Sequence, residues 1–149
     1  MCLIEILPSS LHEWTWYACN AFYCFFHTYY HLIFFNQELF KRLIPHQCLG
    51  ATWGQRNEAE TVKATILQFN NVILRVISSI LIEIEPAERA KNICAWIDIA
   101  QELRMLKNFS SLKAIVCGLQ SNSVYRLSKT WALVTKSKVH TYLVCLLLK

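Results

Sequence analysis

The chain has 149 residues, which is enough for one domain with an ordinary hydrophobic core. Only 3 glycines and 3 prolines occur while 54% of the residues are hydrophobic, so a many-turned β fold is disfavoured and long helices are expected. The net charge is +5. The 7 cysteines are odd in number and irregularly spaced, which excludes a simple disulfide framework. Free thiols in a reducing compartment are expected, and the start of the chain lacks a secretory signal, so the expected location is the cytoplasm.

The first part of the chain is an uncharged aromatic run. No Asp, Glu, Lys or Arg occurs between Glu13 and Glu38, and residues 14–37 are long enough to cross a bilayer. Polar residues dilute this run, among them Asn20, His27, Thr28 and His31. A polar group in hydrocarbon is costly. We therefore expect an amphipathic or disordered leader over residues 1–35, and membrane association through residues 14–37 is the less favoured alternative.

The same run contains residues that could bind a metal ion. Cys24, His27 and His31 would share one face of a helix. A zinc finger, however, needs a longer connection between its two ligand pairs so that the chain can fold back. We therefore expect aromatic packing here, and no metal or other cofactor.

Helical patterns follow in chain order. The stretch "NQELFKRLI" predicts a short helix that ends before Pro45, and residues 60–81 repeat apolar side chains every three or four positions, which predicts one long amphipathic helix. Pro86 suits the first position of the next helix. Polar breaks at 108–111, with capping serines, and at 121–123 separate the remaining helical segments. No useful strand-like alternation appears, so the predicted fold is all-α. Four aromatic residues are predicted to be core: Phe69, Trp96, Phe109 and Trp131.

The charge of the last third has one sign. No acid follows Glu102, while eight basic residues do: Arg104, Lys107, Lys113, Arg126, Lys129, Lys136, Lys138 and Lys149. This pattern is typical either of a surface for a negatively charged partner or of a solvated helix face. No nucleic-acid-binding motif is present, and neither is a Gly-rich phosphate loop, an HExxH motif or a CxxC pair. We therefore expect no nucleic-acid partner and no covalent catalysis.

Four consecutive blocks carry a resemblance to a known family. They are "ELFKRLIPHQCLGATWGQR", "VKATILQFNNVILRVISSIL", "ERAKNICAWIDIAQELRMLKNFSSLKAIV" and "GLQSNSVYRLSKTW". In this order they resemble the catalytic domain of Ras-type guanine nucleotide exchange factors, and are most similar to the Ral guanine nucleotide dissociation stimulator group. The resemblance covers residues 36–137. Residues 1–35 and 138–149 look unrelated to it, as in a truncated splice form or an imperfect gene model.

The resemblance implies a function without acid–base chemistry. Such a domain grips the switch regions of a Ras-family small GTPase, here expected to be Ral, and promotes GDP release. The family's later helices, including the hairpin that opens the nucleotide site, have no counterpart in this sequence, so the expected fold is a partial helical array. Loss of exchange activity would leave a non-catalytic GTPase-binding fragment, and a membrane-inserted fragment is a third alternative.

The resemblance also implies a set of GTPase-contacting residues. A polar helix junction faces switch II in the family, and Tyr125 there offers a rigid ring with a polar tip, typical of interface anchors. Lys113 stands where many relatives carry an apolar side chain. The expected contact residues are Gln120, Ser121, Asn122, Tyr125, Lys113, Thr65 and Ile66.

Overall fold

The structure is a computed structural model that describes residues 21–49 and 59–147, and within these ranges it contains helices and no strands. The elements in chain order are α1 (Ala21–Lys41), a 3₁₀ turn (Pro45–Cys48), α2 (Glu60–Leu81), α3 (Pro86–Met105), α4 (Phe109–Gln120), α5 (Asn122–Tyr125), α6 (Ser128–Trp131) and α7 (Lys136–Leu146). The expected all-α fold is confirmed.

Helix α2 has the predicted bounds because its apolar periodicity is regular. Val72, Val76 and Ile80 recur every fourth residue and are buried against the other helices. The start of α2 has no side-chain cap of its own, and Gln47 of the 3₁₀ turn supplies one from outside. The Gln47 Oε1 atom accepts hydrogen bonds from the Thr61 N–H at 3.2 Å and the Thr61 hydroxyl at 2.6 Å.

Helices α2 and α4 pack closely because a glycine lies between them. A Cβ atom at Gly118 would lie 2.8 Å from the Val76 Cβ and 2.9 Å from its Cγ1, which is well inside ordinary van der Waals contact. Only glycine therefore allows the two backbones to approach this closely.

Side-chain hydrogen bonds fix the order of the helices around this contact. The Trp96 indole N–H donates to the Ser79 hydroxyl at 2.8 Å, and Asn92 donates to the Ser79 carbonyl at 2.8 Å. The middle of α3 is therefore held to the end of α2. On the other side, Asn36 of α1 donates to the hydroxyl of Ser111, which is buried at the start of α4. The buried Ser111 hydroxyl and the half-buried polar groups of Ser79 are thus paired across helices.

Helix α7 joins the same core through residues that the sequence analysis assigned to an unrelated tail. Cys145 is buried, and Val139, Tyr142 and Leu146 pack against the core. Lys138 forms an ion pair with Asp98 on α3. The proposed boundary at 137/138 remains a prediction, although the described part of the tail is packed like the rest of the domain.

Three local expectations were wrong. Helix α1 covers Ala21–Lys41, so it is longer than the short helix predicted from Asn36. The cap of α4 is Asn108, whose side chain accepts the Ser111 N–H at 3.2 Å, and not a serine. Phe109 is 54% exposed, because position N1 of α4 lies on the side of the helix away from the core. The other three aromatic predictions hold, since Trp96 is buried and Phe69 and Trp131 pack against the core.

One described helix, α2, is long and apolar enough to cross a membrane by length and composition alone. The predicted aromatic span at 14–37 lies partly outside the described residues. In its described part, Leu32 is buried against the core while Phe34 and Phe35 are exposed.

Candidate functional site at the α4–α5 corner

The polar junction after α4 forms a sharp corner. Helix α4 ends at Gln120, Ser121 takes an extended conformation, and the single turn α5 follows. The Ser121 carbonyl accepts hydrogen bonds from the N–H groups of Val124 at 3.0 Å and Tyr125 at 2.8 Å. Gln120, Asn122 and Tyr125 are exposed at this corner, and the Tyr125 side chain is 70% exposed.

Buried residues and a hydrogen bond fix the backbone of the corner. Val124 is fully buried, and its carbonyl accepts a hydrogen bond from the Trp131 indole N–H at 3.0 Å. Thr130 in the following turn is also buried. The exposed side chains of the corner therefore stand on a rigid backbone, which lowers the entropy cost of binding a partner.

An apolar groove of about 510 Å³ opens beside the corner. Its lining residues come from the corner and from α7: Gln120, Asn122, Tyr125, Trp131, Val139, Tyr142, Leu143 and Leu146. The rings of Trp131 and Tyr142 lie 5.5 Å apart at an angle of 34°. Amides and a hydroxyl thus border an aromatic and aliphatic surface, an arrangement typical of protein-recognition sites.

Tyr142 is a neutral member of this groove over the physiological pH range. Burial, followed by the nearby Cys117 and Tyr125, raises the pKa of Tyr142 to about 12. Its phenol therefore keeps its proton and remains able to donate a hydrogen bond.

The exposed side of α4 extends the site away from the corner. Lys113 is exposed and lies two turns before Gln120, and Phe109 lies about one turn before Lys113. The three side chains form a stripe about 16 Å long from Phe109 to Gln120. Sequence reasoning assigned Phe109 to the core, although its helical spacing from Lys113 indicates the exposed side.

The structure places Thr65 and Ile66 away from the corner. Both lie on α2, ten or more residues before Val76, which contacts Gly118 just ahead of the corner. That separation is about 15 Å along the helix axis. Ile66 is exposed, while Thr65 is half-buried and donates its hydroxyl proton to the Thr61 carbonyl at 3.0 Å. The predicted contact residues thus fall into three groups: the residues of the corner, Lys113 on α4, and the distant pair on α2. Their contact with a partner remains a prediction.

Metal chemistry finds no support in the described part of the chain. No group of three or more His, Cys, Asp or Glu residues lies together there in a way that could hold a metal ion. Of the three residues considered for metal binding, the side chains of Cys24 and His27 fall outside the description, and His31 stacks on Phe35 with ring centroids 5.5 Å apart.

Comparison with known proteins gives one family match. The model of the RasGEF domain matches residues 30–146, which extends beyond the predicted 36–137 at both ends. The match therefore includes the whole corner, the groove and all of α7.

Curated relatives agree with this match. The chain is similar to human "Ral guanine nucleotide dissociation stimulator-like 1", with 49% identity over 116 residues covering 72% of this chain and 15% of the relative. It is 40% identical to mouse "Ral guanine nucleotide dissociation stimulator-like 3" over 74% of this chain and 17% of the relative. It is also 38% identical to human "Ral-GDS-related protein" over 72% of this chain and 24% of that relative. The chain thus spans less than a quarter of the length of these relatives.

Proposed function

Because the chain belongs to the RasGEF domain family, we propose that it is a guanine nucleotide exchange factor for a Ras-family small GTPase, with Ral as the expected partner. The family match over residues 30–146 supports the GTPase class. The expectation of Ral rests on the names of the relatives, which are Ral guanine nucleotide dissociation stimulator-like proteins. The proposed location is the cytoplasm, and the four cysteines described as free thiols are compatible with a reducing compartment.

The proposed activity requires binding energy and no covalent chemistry. An exchange factor stabilises the nucleotide-free GTPase relative to its GDP-bound state, so the barrier to GDP release falls by that difference in affinity. Neutral donors and acceptors suit this task, because the switch segments of a GTPase present backbone groups that rearrange between the two states.

The observation that carries the proposal is the exposed, rigid corner beside an apolar groove. Tyr125 projects from a turn whose carbonyl at Val124 is fixed by Trp131, so its ring is presented without loss of backbone freedom. Gln120 and Asn122 border the same groove and can bind a polar backbone next to it. Aromatic anchors of this kind carry a large share of the binding energy in protein interfaces.

A second candidate function is GTPase binding without nucleotide release. The observation that favours it is the exposed corner beside the apolar groove, which supports the binding of a partner by itself. The corner lies within the RasGEF match over residues 30–146, and binding of a GTPase there does not by itself require release of its nucleotide.

A nucleotide-release assay tests both candidates. Ral is loaded with a fluorescent GDP analogue, and the release rate is measured with and without the chain, alongside direct binding to nucleotide-free Ral. The proposal predicts faster release of the nucleotide. Tyr125→Ala should reduce this acceleration by about 10-fold or more, since interface hot spots contribute about 2 kcal/mol. Leu133→Ala, which removes an exposed apolar side chain in the turn after α6, should leave it unchanged.

Each outcome separates the candidates. Binding that is weakened by Tyr125→Ala, with no acceleration of release, would leave only the second function. Absence of binding to Ral and to other Ras-family GTPases would contradict both. Acceleration that is unaffected by Tyr125→Ala and Asn122→Ala would keep the function and overturn the corner as its docking site.

A further inference from the structure

The helices that form the corner and its groove carry charges of one sign. Residues 109–147 contain no Asp or Glu, and they contain five basic residues: Lys113, Arg126, Lys129, Lys136 and Lys138. Lys138 is paired with Asp98 on α3, and the other four are exposed. The remaining ion pairs among the described residues are formed by cations elsewhere: Lys41, Arg42 and Lys91. The four exposed cations therefore leave this side of the molecule electropositive.

Two of these cations lie next to the residues of the corner. Lys113 is exposed on α4, seven residues before Gln120, which is almost two turns and about 10 Å along the helix axis. Seven of the twelve residues of α4 are buried, so its exposed side is narrow and carries both residues in one row. Arg126 is exposed and directly follows Tyr125. A standard protein interface covers a patch roughly 30 Å across on each partner, which is wide enough to include the corner and both charges.

We propose that Lys113 and Arg126 form a cationic rim, which selects a GTPase with acidic side chains opposite the corner and accelerates the encounter of the two proteins. This inference rests on the proposed function and names the chemistry of the GTPase surface that the corner fits. On that surface, a carboxylate lies opposite Lys113, about 10 Å from the group that meets Gln120. Charges at the rim of an interface mainly set the association rate and the choice of partner, whereas an aromatic anchor such as Tyr125 contributes affinity.

The surroundings of the cationic rim favour an acidic protein over an anionic membrane or a nucleic acid. Recognition of anionic lipids by charge uses clusters of about 4–8 basic residues, and binding of single-stranded nucleic acid uses a basic groove that follows the phosphates. Here the two charges are separated by the uncharged side chains of the corner, and the groove beside them is aromatic and aliphatic. An apolar centre with separated charges around it is the usual anatomy of a protein interface.

Association kinetics at two ionic strengths test the proposal. The full chain is mixed with nucleotide-free Ral in a stopped-flow instrument at about 20 mM and about 500 mM salt, between which the Debye length falls from roughly 20 Å to roughly 4 Å. Lys113→Glu should lower the association rate constant about 10-fold or more at low salt and about 2-fold or less at high salt. Lys113→Met keeps the aliphatic part of the side chain and removes its charge, so it should give a smaller loss with the same dependence on salt.

Lys91→Glu is the matched control, because it makes the same change in net charge at an exposed lysine. Lys91 lies on α3 and lines a different depression of the surface, together with Leu133. The association rate constant of this variant should change by less than about 2-fold, since screening limits its effect on the corner. Circular dichroism should show the same helix content in Lys113→Glu as in the parent chain, because Lys113 is exposed.

Charge reversal on the partner tests the opposing carboxylate. Each exposed Asp and Glu of Ral is changed singly to Lys, and the association of each variant is measured with the parent chain and with Lys113→Glu. One of these variants should bind Lys113→Glu faster than it binds the parent chain. The resulting double-mutant cycle isolates the interaction of that pair from the effects of net charge.

The outcomes separate the cationic rim from the proposed function. Association that does not depend on salt, or Lys113→Glu and Arg126→Glu variants that bind as fast as the parent chain, would overturn the rim, while acceleration of GDP release would keep the exchange function. Absence of binding to Ral and to other Ras-family GTPases at both ionic strengths would overturn both. Binding to phosphatidylserine vesicles that requires Lys113 and Arg126, with no effect of either residue on GTPase association, would overturn the proposal in favour of a lipid surface.

Discussion

Gly118→Ala tests how closely α2 and α4 approach. The new Cβ would lie 2.8 Å from the Val76 Cβ and 3.3 Å from the Ile73 carbonyl oxygen. Ordinary contact between carbon atoms is about 3.5–4.0 Å, so one helix has to move by roughly 0.7 Å or more. The Val76 Cβ is attached directly to the backbone, so a rotamer change cannot provide this space.

The expected magnitude follows from two opposing effects. Forcing a methyl group into a well-packed core costs about 1–3 kcal/mol. Replacing glycine by alanine inside a helix returns about 0.5–1 kcal/mol. The free energy of unfolding of Gly118→Ala should therefore fall by about 1–2 kcal/mol, as measured by urea unfolding followed by circular dichroism.

A double-mutant cycle provides the control. Val76→Ala alone leaves a cavity and should destabilise the fold by about 1.5 kcal/mol or more, since a buried methylene is worth about 0.8 kcal/mol. In the double variant the new methyl group at 118 occupies part of that cavity, so the loss should be smaller than the sum by about 1 kcal/mol. A stabilised Gly118→Ala, or strictly additive losses, would refute the close approach of the two helices.

Three further predictions concern single residues. Asn108→Ala removes the side-chain cap of α4 and should lower the free energy of unfolding by about 1 kcal/mol. Asn108→Ser keeps a capping oxygen and should retain most of that stability. Equal losses in both variants would show that the Asn108 side chain does not cap α4. Lys107 has a φ angle of 59° in the turn after α3, a conformation that glycine adopts more easily than other residues. Lys107→Gly should therefore raise the free energy of unfolding by about 0.5–1 kcal/mol, whereas Lys107→Ala should not. A gain in stability from alanine would contradict strain in the backbone at this position. The raised pKa of Tyr142 means that the unfolded chain loses this proton near pH 10 and the folded chain near pH 12. Stability should therefore decrease as pH rises through that window, and Tyr142→Phe should remove this part of the slope; tyrosinate absorbance at 295 nm would show the late titration.

The sequence predicted the bounds of α2 correctly, from the spacing of its apolar residues. Its apolar residues keep a regular helical spacing, and its core residues, such as Val76, lie well apart from its polar positions. Helix α3 was equally clear, since Pro86 occupies its first turn as expected. Where the spacing of apolar residues agrees with a residue that favours a helix end, such as Pro86, the local sequence is enough to predict the helix.

The ends of the chain could not be predicted in this way. An uncharged run such as that leading to Glu38 has apolar side chains on every side, so its pattern does not tell a leader from a packed helix. The burial of Leu32 depends on tertiary contact with the other helices, which no local pattern contains. The same holds for α7. Cys145 is buried by packing against the core, but its neighbours in the sequence are nearly all apolar, so the local pattern does not show which side of the helix is buried.

Phe109 shows how one capping residue changes the prediction of a site. With Asn108 as the cap, Phe109 becomes the first residue of α4 and falls on the side of Lys113 instead of the side of Leu112 and Ile115. The corner itself was predicted as an exposed polar junction because its amides and hydroxyls interrupt the apolar stripe of α4. Its groove was not predicted, because the opposite wall comes from α7, a segment that shares no local pattern with the corner.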